Sequence, residues 1–152
     1  MNSVTHLVLK LISFKKTNIL LFAPKGGLRP IFSFFMACCK DNGQNGDFTF
    51  GKVSGHAPDF TANSYFKGEF REISLHEYLH QGKWVVLFFY PLDFTFVCPT
   101  EIKEFSAKAK EFEKEGAQIL GISVDSEYSH KAWCEGELGD LEFPLVSDFT
   151  KE

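Results

Sequence analysis

The sequence predicts an α/β domain built on a central sheet that contains parallel strands. Three observations point there. Trp84–Tyr90 is an unbroken apolar and aromatic run at the heart of a strand predicted over Lys83–Tyr90, and Gln118–Val124 is a second strand candidate. Between them Ile102, Phe105, Ala109 and Phe112 recur on one helical face, so the spacing predicts a helix over Cys98–Glu115. Strand, long helix and strand in that order imply a right-handed crossover joining two parallel strands.

The other elements follow from shorter signals. Strands are expected at Phe70–Ser74 and Leu145–Val146, and helices at Leu75–His80 and Glu127–Glu135. Asp125 and Ser126 follow the second strand and can cap the helix after it. A length of 152 residues with 18 Phe suits one globular domain with a substantial core. There are no internal repeats. Gly26-Gly27 and Gly43-x-x-Gly46 lack the strand-to-helix setting of a phosphate-binding loop.

Composition divides the chain at about residue 50. Residues 1–50 read as a basic leader and flexible linker, and residues 51–152 as the folded domain. Residues 1–40 carry six Lys or Arg and no acid, whereas the other ten basic and all twenty acidic residues lie in 41–152, for a net charge of −4. An acid-free, basic, apolar leader resembles a mitochondrial transit peptide, although Arg29 is its one arginine. Lysines and Pro24 interrupt the apolar run expected of a secretory signal, and no stretch reaches the ~20 apolar residues of a membrane span. Phe35-Met36-Ala37-Cys38 superficially resembles a lipoprotein cleavage site, but Ile31–Phe35 is shorter than the usual apolar region of about 7–15 residues. Translation starting at Met36 is another reading. Cys38-Cys39, without His or Cys partners nearby to suggest metal binding, then reads as an exposed tail, with palmitoylation the alternative. The Asn- and Gly-rich stretch Asp41–Asp47 is the linker. The acidic folded portion lacks a basic, aromatic-interleaved face, so nucleic acid is not an expected partner, nor is a membrane.

Chemistry concentrates in Pro91-Leu92-Asp93-Phe94-Thr95-Phe96-Val97-Cys98-Pro99-Thr100-Glu101, between the first central strand and the long helix. A cysteine in a first helical turn meets unpaired backbone N–H groups and the positive end of the macrodipole, both of which stabilise a thiolate. Thiols so placed can have pKa values lowered from about 8.5 into the range ~3.5–7.5. Cys98 is therefore a candidate nucleophile. Pro99 is tolerated where its missing N–H had no intrahelical partner. Thr95, three residues before Cys98, can offer its hydroxyl to a bound polar substrate, and Pro91 can wall the thiolate from bulk water. An isolated cysteine is more often simply buried. The helix start, the threonine and the two prolines favour the reactive reading.

The string Pro91–Ile102 resembles the peroxidatic-cysteine signature of the peroxiredoxins, in the typical 2-Cys or alkyl hydroperoxide reductase branch, along its whole length. Further resemblance runs from His56–Phe60 through Gly121–Ser126 to Phe143–Asp148, covering roughly residues 51–152. The resemblance implies a thioredoxin-like fold and a thiol-dependent peroxidase needing no cofactor or metal. Cys98 would attack hydrogen peroxide or alkyl hydroperoxides and become a sulfenic acid. Pro91 and Thr95 match the family's pocket residues, and Glu101 its polar network behind the pocket. Thioredoxin carries C-x-x-C at this junction. Here Thr95-Phe96-Val97-Cys98 keeps one thiol and puts a hydroxyl in place of the other, which suits peroxide reduction better than dithiol exchange.

Two family features are expected beyond Glu152: a resolving cysteine in a V-C-P segment and an arginine that completes the pocket. The sequence therefore reads as a peroxiredoxin missing its C-terminal elements, with weak or no activity of its own. Cys134 is a possible internal resolving cysteine, although a thiol beside Trp133 is more often packed. The compact Glu135–Leu141 stretch lacks the Gly-Gly-Leu-Gly motif of overoxidation-prone members. The resemblance implies a thioredoxin-like or other thiol reductant, a homodimer or decamer for a full-length protein, and a cytoplasmic setting, or mitochondrial if the leader is a transit peptide. The alternative function is a redox relay or interaction protein on the same fold. His76-Glu77-Tyr78-Leu79-His80 matches H-E-x-x-H, but a zinc protease needs a long buried helix and a third ligand, so the match reads as coincidental.

Overall fold

The computed structural model describes residues 59–95 and 99–150, together with the backbone of Cys98 and of a strand at 18–22. In chain order the elements are β1 (Asn18–Phe22), β2 (Thr61–Phe66), β3 (Glu69–Ser74), α1 (Leu75–His80), β4 (Trp84–Phe89), α2 (Cys98–Lys114), β5 (Ala117–Ser123), α3 (Glu127–Trp133), a π-helical turn (Cys134–Leu138) and β6 (Leu145–Ser147). The six strands form one sheet in the order β1-β4-β5-β6-β2-β3. The β4–β5 and β5–β6 pairs are parallel, as the crossover requires, and the outer pairs are antiparallel.

A strand covered on both faces needs apolar side chains at every position. β4 meets that demand. Val86 and Phe88 pack with Ile102, Phe105 and Phe112 of α2, while Val85 and Leu87 pack on the other face with Leu75 of α1, Ile122 and Val146. The expected face of α2, namely Ile102, Phe105, Ala109 and Phe112, is buried throughout.

Gly121 in β5 marks the tightest point of this packing. A Cβ there would stand 2.7 Å from Phe88 Cζ and 3.0 Å from Leu145 Cδ2. The Phe88 ring stacks on Phe105 at 4.6 Å and meets Phe143 edge-on at 5.5 Å, so it has little room to withdraw. Gly121→Ala is expected to cost about 1–3 kcal/mol by overpacking. Urea unfolding checks this, and an unchanged midpoint would mean that the ring moves aside freely.

Two strands were not expected from the sequence. β2 is polar at Thr61, Asn63 and Ser64, and its one long buried side chain is Tyr65. The Ser64 hydroxyl escapes the cost of burial by donating to the Arg71 carbonyl at 2.8 Å. The β2–β3 hairpin turns at Lys67 (φ 46°) and Gly68 (φ 89°), a two-residue turn without the Asn-Gly signature that would have announced it.

β1 lies inside the basic leader. It pairs antiparallel along the outer edge of β4, with Asn18 opposite Phe89 and Phe22 opposite Val85, and so occupies hydrogen-bonding groups that an edge strand leaves open. Deleting residues 1–35, so that the chain starts at Met36, is expected to promote self-association relative to the full chain. Light scattering across a concentration series reads this out, and identical masses for both proteins would make β1 dispensable as an edge cover.

Candidate active site

Parallel neighbours β4 and β5 bring the loops that follow them side by side at the carboxyl end of the sheet, the usual place for a site in such folds. The loop from β4 runs through Tyr90 to Thr95, and the chain enters α2 at Cys98, the first of its seventeen residues. Cys98 thus sits where the first-turn N–H groups have no intrahelical partner and the helix dipole is positive. Pro99 beside it is buried.

The other residues singled out from the sequence fall in two places. Pro91 is exposed at the end of the strand, and Thr95 is half-buried. The Thr95 hydroxyl donates to the Leu92 carbonyl at 3.2 Å, which leaves its lone pairs as acceptors for an O–H or S–H. Glu101 is half-buried in the first turn of α2, where a carboxylate interacts favourably with the dipole.

Cys134 lies elsewhere. It opens the π-helical turn after α3, and its carbonyl accepts from the Gly139 N–H at 3.0 Å. The helix expected over Glu127–Glu135 ends at Trp133, because the backbone widens into this turn. Burial, reinforced by the carboxylates of Asp93, Asp140 and Glu135, pushes the Cys134 thiol up to about 12. Such a thiol is protonated at neutral pH and a poor nucleophile.

Sequence reasoning passed over a polar cluster in the same loop. Asp93 is buried, and its Oδ1 accepts from the Tyr90 hydroxyl at 3.0 Å. Its Oδ2 lies 2.7 Å from His130 Nδ1, and its N–H donates to Asp125 Oδ2 at 2.6 Å. Burial and the adjacent Asp93 carboxylate hold the Tyr90 phenol well above its ordinary pKa, so it remains a donor. Ser126 is the cap of α3, its Oγ accepting from the Ser129 N–H at 3.3 Å, while the Asp125 carboxylate is spent on the loop instead. No local spacing links Asp93 to His130. The one available signal was topological, since adjacent parallel strands place the β4–α2 and β5–α3 loops together.

Other features lie apart from this loop. His76 and His80 are exposed on six-residue α1, with ring centroids 4.2 Å apart. Among the described residues no group of three His, Cys, Asp or Glu is arranged to hold a metal. A cleft of about 450 Å³ opens at the opposite end of the sheet, bordered by Arg71, Glu77, Glu113 and Gln118. Its mixed charges line no part of the Cys98 loop.

An α/β sheet of this order, with a cysteine opening the helix that follows β4, has the thioredoxin-like architecture. Residues 53–152 match the AhpC/TSA family, and the chain belongs to it. Among curated proteins it is 57% identical over 106 residues to a chloroplastic 2-cysteine peroxiredoxin of Chattonella marina var. antiqua, covering 66% of this chain and 54% of that protein. It is 54% identical over 105 residues to Peroxiredoxin-2 of Mus musculus, covering 66% and 52%. The chain thus spans about half the length of the curated relatives it matches. Among solved structures, reduced Plasmodium vivax 2-Cys peroxiredoxin superposes with a TM-score of 0.60 at 41% identity, covering 63% of this chain and 62% of that one. Enterococcus faecalis AhpC superposes with a TM-score of 0.60 at 35% identity, covering 63% and 57%.

Proposed function

We propose that this protein is a thiol-dependent peroxidase that reduces hydrogen peroxide and alkyl hydroperoxides at Cys98. The observation that carries the reading is the position of Cys98 as the first residue of α2, directly after a loop holding Pro91 and Thr95. The Cys98 thiolate attacks the terminal peroxide oxygen. An S–O bond forms as the O–O bond breaks, the sulfur is oxidised by two electrons, and the departing alkoxide or hydroxide takes a proton to leave as alcohol or water. The sulfenic acid then condenses with an external thiol to a mixed disulfide and water, and a second thiol releases Cys98. A thioredoxin-like protein or another thiol is the reductant.

In this scheme Thr95 accepts a hydrogen bond from the peroxide, Pro91 screens the thiolate, and Glu101 belongs to the polar surroundings of the pocket. Cys134 is a weak resolving residue, because its raised pKa leaves little thiolate unless the turn opens. The relatives' names support peroxide substrates, and assembly into a homodimer or decamer belongs to the same reading. The proposed location is the cytoplasm, with the mitochondrion as the alternative that the basic leader suggests. No helix among the described residues is long and apolar enough to cross a membrane. The test is the rate of Cys98 sulfenic-acid formation with hydrogen peroxide, trapped and read by mass spectrometry. Oxidation much faster than that of a free thiol is expected, and oxidation no faster would refute the proposal.

A further inference from the structure

We propose that Asp93 is a positioning residue for Cys98, an inference that rests on the peroxidase reading of the same loop. Asp93 is buried although its neighbours Leu92 and Phe94 are exposed. Removing a carboxylate from water is costly unless partners replace the lost hydration, so its burial has to be held in place. The partners come from three parts of the fold. Tyr90, just past β4, donates its hydroxyl to Oδ1 at 3.0 Å, and His130 of α3 places Nδ1 at 2.7 Å from Oδ2, with both side chains of the Asp93–His130 pair fully buried. The other ring nitrogen of His130 faces the Val146 carbonyl of β6 at 3.3 Å. The Asp93 N–H donates to Asp125 in the β5–α3 turn, and Asp125 is itself anchored. Its N–H donates to Ser123 Oγ at 3.1 Å, and its carbonyl accepts from the Ser147 hydroxyl at 2.7 Å.

The next residue explains what this clamp does. Phe94 has φ of 55°, a left-handed conformation that a bulky side chain rarely adopts. Its ring rests 5.9 Å from that of Trp133, beside the π-helical turn. The chain therefore makes its strained turn between the clamp at Asp93 and the residues that matter, Thr95 and Cys98. Strain of this kind persists where the surroundings over-determine it, and it concentrates at functional sites. With Asp93 held, the backbone is pinned five residues before α2, the helix that Cys98 opens. Without that hold, Phe94 is free to relax, and the entry of the chain into α2 is no longer fixed.

The sign of one measurement separates positioning from simple electrostatics. A carboxylate acting on Cys98 through its charge alone disfavours the thiolate, so Asp93→Asn would speed Cys98 alkylation. Positioning requires the opposite. Residue-resolved iodoacetamide labelling of the full chain across about pH 5–10 gives the reactivity profile of Cys98. For Asp93→Asn, positioning gives about tenfold slower labelling at neutral pH with the profile moved upward. Tyr90→Phe, which deletes one hydroxyl and keeps the ring, gives a smaller change in the same direction and carries the decision if Asp93→Asn does not fold. Profiles that stay put or move downward while the melting temperatures fall would reduce the clamp to a fold-stabilising contact and overturn the proposal. Peroxide oxidation of wild-type Cys98 is measured alongside. If it is no faster than a free thiol, the peroxidase reading fails, and the labelling profile still decides whether Asp93 positions Cys98.

Discussion

Cys98→Ser is expected to lower peroxide consumption with an external thiol by at least about three orders of magnitude, to the uncatalysed background, because it deletes the proposed nucleophile. A serine hydroxyl at the same helix start is not appreciably ionised at neutral pH, so the dipole and N–H groups have no anion to stabilise. The parallel change Cys134→Ser separates the roles of Cys98 and Cys134. Cys134 is buried and protonated, with its pKa pushed up to about 12, so its loss should leave the rate of Cys98 oxidation within about twofold of wild type. Coupled turnover and trapping of the sulfenic acid read both variants. A Cys134→Ser variant as inactive as Cys98→Ser would mean that the turn after α3 takes part in the chemistry, and a Cys98–Cys134 crosslink after peroxide treatment would identify how.

Phe88→Ala is expected to cause the largest loss of stability of any single truncation in the sheet, about 3–5 kcal/mol. The ring is buried between Phe105 and Phe143, lies over Gly121, and stacks at 6.1 Å with Tyr90. Gly121 has no side chain with which to fill the space left behind. For a chain of this size the loss corresponds to a fall in melting temperature of roughly 10–15 °C. Phe89→Ala is the control, because Phe89 points to the other face and is partly exposed, and it should cost about 1 kcal/mol or less. Thermal melts of both variants check the contrast, and equal losses would contradict the packing described here. Since Tyr90 belongs to the clamp on Asp93, Phe88→Ala should also slow Cys98 labelling, whereas Phe89→Ala should not.

Local patterns were legible where a single element satisfies its own needs. α2 announced itself through Ile102, Phe105, Ala109 and Phe112, and β4 through its unbroken apolar run, because burial on a helical stripe or on both faces of a strand imposes those spacings. α1 matches its expected span of Leu75–His80, and the start of α2 at Cys98 was readable from Pro99 and the strand before it. β2 was not legible. Two of its six residues are exposed and two more only half-buried, and what holds it is pairing with β3 and β6 rather than composition. β1 was hidden for a similar reason, since its strand character lies in pairing with β4, far along the chain.

By itself, the sequence determined the α/β class, the buried central strand and the placement of one cysteine at a helix start, since each depends on residues adjacent in the chain. The tertiary structure alone decided which groups meet in the loop before that start. Asp93 and His130 meet across thirty-seven residues of sequence, and Asp125 reaches the same loop from the neighbouring crossover. It also decided that Cys134, similar to Cys98 as a letter in the chain, is a buried thiol. Desolvation and hydrogen bonding depend on what lies across the fold, and parallel pairing of β4 with β5 brings those groups together.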